Sequence, residues 1–75
     1  MHSLDITATA KRIRQLMTEK NVSARNMARQ TGVSISAVYK WISGSAVPTY
    51  ELAVDLVELF GLEKIEDLII INKTE

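Results

Sequence analysis

The chain has 75 residues, no cysteine and one histidine. A chain of this length forms one domain and lies near the lower size limit at which a hydrophobic core stabilises a fold unaided. We therefore expect residues 1–75 to form a single domain, with a core over about residues 7–69. The lack of cysteine excludes a disulfide framework and a thiolate metal site, so stability has to come from packing.

The net charge of zero conceals two halves of opposite charge. Residues 1–50 hold seven basic and two acidic side chains, a net charge of +5, whereas residues 51–75 hold two basic and seven acidic side chains, a net charge of −5. Such asymmetry is typical of a protein with a face that binds a polyanion. Small domains also carry uneven charge without binding one, so this pattern needs support from a motif.

Several classes of function find no support in the sequence. The longest apolar run, residues 68–71, is far too short to span a bilayer, and the N-terminus lacks a signal-type apolar stretch. This predicts a cytoplasmic protein with no membrane partner. His2 stands alone and no glycine-rich phosphate loop is present, so we predict no enzyme activity, metal, cofactor or small-molecule ligand.

The first predicted helix has Asp5 or Thr7 as its N-cap and ends at residues 20–21, while residues 1–6 are expected to fray. Its buried stripe follows the helical period: Ala10, Ile13, Leu16 and Met17. Asn21 is expected to end this helix, because asparagine tolerates the left-handed conformation better than most residues.

Two short helices are predicted next, over about residues 24–31 and 35–43. Ser23 and Ser34 precede them, and a serine oxygen at that position accepts hydrogen bonds from the free amides of the first turn. Gly32 can adopt the left-handed conformation that ends a helix, and Ala28 is small enough for close approach. Two capped helices so close in sequence predict a helix-turn-helix.

The remaining chain predicts a loop over residues 45–48 and two more helices. The fourth helix begins behind Thr49 and ends at Gly61, with a core stripe of Leu52, Leu56, Leu59 and Phe60. A short fifth helix is predicted over about residues 65–69. The three isoleucines that follow Leu68 conflict with it, since β-branched runs favour extended structure.

The chain resembles the lambda-repressor-like (Xre/Cro) helix-turn-helix family over about residues 8–69. Ala28, Gly32, Val38 and Trp41 match the buried framework of that family's motif. The resemblance implies an all-α, compact five-helix bundle with the helix-turn-helix in helices 2 and 3, whose third helix enters the major groove of double-stranded DNA, usually as a dimer. It also places Trp41 in the core rather than against a base.

The resemblance assigns base contacts to the outward face of helix 3. Ile35, Ser36 and Lys40 fall where the family reads base edges, and Tyr39 falls at the edge of the groove. Lysine can donate to guanine, serine can bond to several bases, and isoleucine can contact a thymine methyl. We include all four in the predicted base-contacting set.

Phosphates would be held by the amides at the start of helix 2 and by side chains around the motif. The predicted set is Arg12, Arg14, Arg25, Asn26, Ser43 and Ser45. The chain departs from the family at two places, with Ala24 where many members have glutamine and Ser45 where a lysine or arginine is common. Both departures remove donors and predict weaker non-specific binding to DNA.

The apolar tail predicts a homodimer interface, since apolar surface gathered in one patch usually marks a contact. The predicted interface is Leu68, Ile69, Ile70 and Ile71, either as helix 5 against its symmetry mate or as terminal strands paired between subunits. Alternatively, these residues only cover the bottom of the core.

The predicted function is a sequence-specific transcriptional regulator of the repressor type that binds its operator as a homodimer. The alternative is a protein-interaction module, antitoxin-like or an adaptor, which keeps the helix-turn-helix frame and docks a partner through Ile35, Tyr39 and the isoleucine tail. The lost donors at Ala24 and Ser45 favour this alternative, and the charge of residues 1–50 opposes it.

Overall fold

A computed structural model describes residues 2–73, with the side chains of residues 4–71. Four α-helices carry the fold, and they match the first four predicted helices: α1 (Ile6–Lys20), α2 (Ala24–Thr31), α3 (Ile35–Ser43) and α4 (Tyr50–Phe60). Two short strands, β1 (His2–Leu4) and β2 (Ile71–Lys73), lie at the two ends of the described chain, and a single 3₁₀ turn (Ile65–Asp67) follows α4.

Short polar side chains begin all four helices. The side chains of Asp5, Ser23, Ser34 and Thr49 each accept a hydrogen bond from the backbone amide three residues later. Asp5 rather than Thr7 is therefore the cap of α1. Asn21 ends α1 with φ of 55°, as predicted, and it is the one non-glycine residue with positive φ in the described part of the chain.

The core brings together side chains from every helix. Its buried members are Ile13, Leu16, Ala24, Met27, Val38, Trp41, Ala53, Leu56, Phe60 and Leu68. Within it, α2 packs against both α3 and α4, and α1 packs against α3. Trp41 is only 4% exposed, which confirms its predicted place in the core. The helix-turn-helix, formed by α2 and α3, thus packs against α1 and α4.

The prediction of a fifth helix is wrong. Residues 65–67 form only one 3₁₀ turn, and Lys64, which precedes it, provides no side-chain cap. The isoleucines that follow are β-branched, and their side chains restrict the helical backbone and favour strands. Leu68 and Ile69 still belong to the turn, since their amides both donate to the Ile65 carbonyl, and the chain is extended from Ile71, where β2 begins.

The two strands pair with each other in an antiparallel register, with Leu4 opposite Ile71. The prediction that residues 1–6 fray is wrong for residues 2–6, because residues 2–4 form β1 and Ile6 begins α1; Met1 lies outside the described residues. Ile71, the last of the three isoleucines, thus pairs with the N-terminal strand of its own chain. Nothing local in either segment indicates a partner almost seventy residues away.

A buried hydroxyl joins this sheet to α1. Thr9 is 1% exposed, and its Oγ1 accepts a 3.0 Å hydrogen bond from the backbone amide of Ile70. The backbone amide of Asp5 donates to the Ile70 carbonyl at 2.9 Å. Both backbone groups of Ile70 are therefore paired with the start of α1, which anchors the tail beside that helix.

Candidate nucleic-acid interface

A tight turn over residues 32–34 joins α2 to α3. Gly32 ends α2 with φ of 78°, a conformation that side-chain-bearing residues rarely adopt, and its amide donates to the Ala28 carbonyl at 2.8 Å. Ser34 then begins α3. Met27 and Val38, one from each helix, are fully buried in the core that the two helices share. The short turn and this contact set the position of α3 relative to α2.

The outer face of α3 carries all four residues that were predicted to contact bases. Ser36 and Lys40 are exposed, Ile35 is 39% exposed and Tyr39 is 55% exposed. Val38 and Trp41, on the opposite face of this helix, are buried. The structure therefore brings the four predicted residues together on one accessible helical surface, although their contacts with DNA stay a prediction.

The start of α2 presents Arg25 and Asn26 to solvent. A capping box organises this end: the Ser23 hydroxyl accepts from the Asn26 amide at 3.1 Å, and Asn26 Oδ1 accepts from the Ser23 amide at 3.2 Å. The box uses only Oδ1 of Asn26, so the side-chain amide nitrogen keeps donors for an anion. The first amides of a helix have no intrahelical acceptor, and since the Ser23 hydroxyl takes that of Asn26, the amides of Ala24 and Arg25 form a second set of donors here.

The hydroxyls of Ser43 and Ser45 bond to each other at the end of α3. Their oxygens lie 2.9 Å apart, and Ser43 Oγ donates to the Lys40 carbonyl at 3.2 Å. Either hydroxyl can donate in the bond between the two serines, and when Ser43 donates to Lys40 the donor is Ser45. Each hydroxyl would have to rotate before it donated to a phosphate, so this part of the predicted set is occupied within the protein.

The two arginines of α1 point in different directions. Arg12 Nε donates to the Asp67 carbonyl at 2.8 Å, beside the 3₁₀ turn in the acidic half of the chain, whereas Arg14 Nη1 donates to the Ile42 carbonyl at 2.6 Å in α3. Residues two positions apart lie about 200° apart around a helix, which explains the divergence. The structure thus brings Arg14 to the helix-turn-helix and Arg12 to the opposite end of the chain.

Two features near the motif have no signal in the sequence. The bond from Arg14 to Ile42 spans 28 positions, so no helical or turn pattern indicates it. Tyr50, the first residue of α4, is 72% exposed, the highest value among the large hydrophobic side chains that the structure describes. The apolar stripe of α4 predicted its buried face and left Tyr50 unassigned.

Residues 2–73 hold neither a metal-ligand cluster nor a membrane-spanning helix. This part of the chain contains no group of three or more histidine, cysteine or acidic side chains that could hold a metal ion. In the same stretch, every helix is too short or too polar to cross a bilayer.

Comparisons with known proteins agree with this geometry. Residues 13–68 match the model of the helix-turn-helix family of lambda-repressor-like proteins. A protein of Sulfolobus acidocaldarius named as an HTH-type transcriptional regulatory protein is 33% identical over 64 residues, which is 85% of this chain. The chain spans only 21% of the length of that relative. A search of solved structures found none that is significantly similar to this chain.

Proposed function

Since the chain belongs to the lambda-repressor-like helix-turn-helix family, we propose that it is a sequence-specific DNA-binding regulator of transcription, of the repressor type, that acts in the cytoplasm. The observation that carries this proposal is the outer face of α3, on which Ile35, Ser36, Tyr39 and Lys40 are accessible while Val38 and Trp41 hold the helix in the core. A helix presented in this way fits the width of the DNA major groove.

Each of the four exposed side chains of α3 contacts a different chemical group of the DNA. Lys40 donates to guanine O6 and N7, Ser36 bonds to a base edge, and Ile35 contacts a thymine methyl. Tyr39 lies at the border of the groove, where its hydroxyl can donate to a phosphate or a base. This side-chain set favours an operator half-site that contains both a G·C and an A·T pair.

Phosphate contacts come mainly from the start of α2. Arg25 and Asn26 are exposed there beside the free first-turn amides, and together they hold the protein in register on the duplex. Ser43 and Ser45 contribute only after they exchange their mutual hydrogen bond for one to DNA. The buried Ala24 provides only its backbone amide.

We also propose that the protein binds DNA as a homodimer through the terminal sheet. Leu68 is fully buried in the core of its own chain and is therefore removed from the proposed interface. Ile71 is 48% exposed, and its cross-strand neighbour Leu4 is 41% exposed, so together they form an apolar patch. Ile69 and Ile70 are half-buried beside it. A two-fold dimer would place its half-sites about 34 Å apart.

A protein-interaction module is the second candidate function. The observation in its favour is the exposure of Ile35 and Tyr39 on α3, together with the lack of a donor side chain at Ala24. Such a module would bury the same face against a partner protein and would not respond strongly to salt. The net charge of +5 on residues 1–50 argues against it.

Selection of bound sequences from a random pool of DNA duplexes tests the primary proposal. We expect enrichment of a pseudo-palindromic sequence with half-sites about one helical turn apart. Enrichment of a single half-site would support DNA reading and contradict the dimer. No enrichment at any salt concentration would contradict the DNA-binding function.

Charge reversal separates the two candidate functions. Arg25→Glu and Lys40→Glu are each expected to lower DNA affinity at least tenfold, because each change removes a cation from the proposed interface and adds a repulsive charge. Lys64→Glu is the matched control, since Lys64 is exposed beside the 3₁₀ turn in the acidic half of the chain. A DNA titration of the three variants suffices, and equal losses in all three would contradict the assigned face.

A further inference from the structure

Arg14 connects the first helix to the end of the helix proposed to read DNA. Its Nη1 donates a 2.6 Å hydrogen bond to the backbone carbonyl of Ile42, the second-last residue of α3. The side chains of Met17 in α1 and Ile42 in α3 are half-buried against the core, and the two helices pack against each other. A charged side chain of α1 therefore holds the backbone of α3 beside a largely apolar contact.

The Ile42 carbonyl accepts a hydrogen bond from outside its own helix. It is one of the last four carbonyls of α3, which have no intrahelical amide to accept from. The local cap does not supply one, because the amides of Gly44, Ser45 and Ala46 all donate to the Lys40 carbonyl. A positive charge at this end also complements the helix dipole. Arg14 is thus a C-terminal capping group supplied by another helix.

We propose that Arg14 is a positioning residue for α3. Its hydrogen bond sets where the last turn of α3 lies relative to α1, and hence where Tyr39 and Lys40 meet the base edges. Apolar packing has no direction and permits a small rotation of the helix, whereas a bond to one carbonyl does not. Base recognition requires placement to within about 0.5 Å. This inference rests on the proposed DNA-binding function.

A positioning role and a phosphate contact leave different signatures in DNA binding. Removal of a phosphate contact weakens binding to all sequences alike and reduces the slope of log affinity against log salt by about one. Removal of a positioning bond weakens binding to the operator, leaves binding to scrambled DNA almost unchanged and does not alter the slope. The ratio of the two affinities therefore distinguishes the roles.

Arg14→Met tests the inference, because methionine keeps an apolar stem and lacks the donor. Lys11→Met is the matched control: Lys11 and Arg14 line one shallow groove on α1, and each change removes one positive charge. Binding to a selected operator and to a scrambled duplex is measured at several salt concentrations. We expect Arg14→Met to lower operator affinity about tenfold at constant slope. Lys11→Met is expected to preserve the ratio of the two affinities.

Amide hydrogen exchange in the free protein gives a readout without DNA. Arg14→Met is expected to speed exchange at Gly44 and Ser45, at the end of α3, and to leave the exchange of the α2 amides unchanged.

Two results would overturn the positioning role. One is unchanged exchange at Gly44 and Ser45, and the other is a salt slope reduced by about one with binding to both duplexes weakened alike. If Arg14→Met does not fold, Arg14→Leu, which also lacks a donor, is measured in the same way. Failure of the unsubstituted protein to bind any DNA contradicts the proposed function instead, while exchange still decides the role of Arg14.

Discussion

Single backbone conformations decide where the helices of this protein end. Gly32 and Gly44 close α2 and α3 with φ near 80°, a region in which a Cβ is strained. Asn21 holds the equivalent position after α1 with φ of 55°. Its amide and that of Val22 both donate to the Met17 carbonyl, so the chain turns at once toward α2. The short connection between α1 and α2, residues 21–23, depends on this conformation of Asn21.

Asn21→Ala is expected to lower the free energy of unfolding by about 1 kcal/mol, because alanine resists the left-handed region. Asn21→Gly is expected to leave stability unchanged or to raise it slightly, since glycine adopts that region freely. Urea unfolding of the two variants measures the difference. An equal loss in both would indicate that the asparagine side chain, and not the backbone conformation, provides the stability.

At the scale of elements, the terminal sheet depends on the helix beside it. Two strands of three residues are too short to be stable alone in water. Here the Ile70 amide donates to the buried Thr9 hydroxyl, and the Ile70 carbonyl accepts from Asp5. Helix α1 therefore supplies hydrogen-bonding partners where the chain enters β2, and the sheet forms as an extension of the helical core.

Thr9→Val is expected to destabilise the protein by about 1–3 kcal/mol, because the near-isosteric change leaves the Ile70 amide without its acceptor. Thr18→Val is the matched control on the same helix. Thr18 is exposed and its hydroxyl only donates back to the Arg14 carbonyl, so a change within about 0.5 kcal/mol is expected. Urea unfolding measures both variants. Equal losses would mean that the bond to Ile70 does not anchor the sheet.

At the scale of the whole molecule, basic and acidic side chains occupy different parts of the chain. Helices α1–α3 carry most of the basic residues, whereas α4 and the segment behind it carry most of the acidic ones. Among the exposed apolar residues, Leu4 and Ile71 lie on the terminal sheet, whereas Ile35 and Tyr39 lie on α3. This separation allows one surface to bind DNA while another contacts a second copy.

The proposed dimer predicts a steep dependence of DNA binding on salt. With about three phosphates contacted by each subunit, log affinity should fall against log salt with a slope of about −5. Ile71→Lys places a charge in the apolar patch and is expected to give a monomer whose slope is about half as steep. Sedimentation at several concentrations and a DNA titration at several salt concentrations measure the two effects.

Tyr50→Lys is the control for the dimer. Tyr50 is more exposed than Ile71 and lies at the opposite end of α4 from the turn that leads to the tail. We expect this variant to sediment as the unsubstituted protein does. A dimer that survives Ile71→Lys would exclude the terminal sheet as the interface, and an unsubstituted protein that remains monomeric on its operator would contradict the homodimer.

The helix-turn-helix could be predicted from the sequence because its determinants are local. Ser23 and Ser34 each accept a hydrogen bond from the amide three residues later, and Gly32 allows the positive φ that ends α2. The face of α3 that carries Ser36 and Lys40 follows from the helical period once Val38 and Trp41 are assigned to the core. Each of these inferences requires only neighbouring residues.

Tertiary structure alone determines how residues 71–73 pair and which carbonyls the arginines of α1 bind. The sequence determined that residues 24–43 form two capped helices and a turn, with one buried and one accessible face. It did not determine that residues 71–73 pair with residues 2–4, nor that Arg12 and Arg14 donate to carbonyls on opposite sides of α1. Those contacts join residues 28 to about 70 positions apart, and no periodic or capping pattern encodes a partner at that separation, because only the packed core brings the two together.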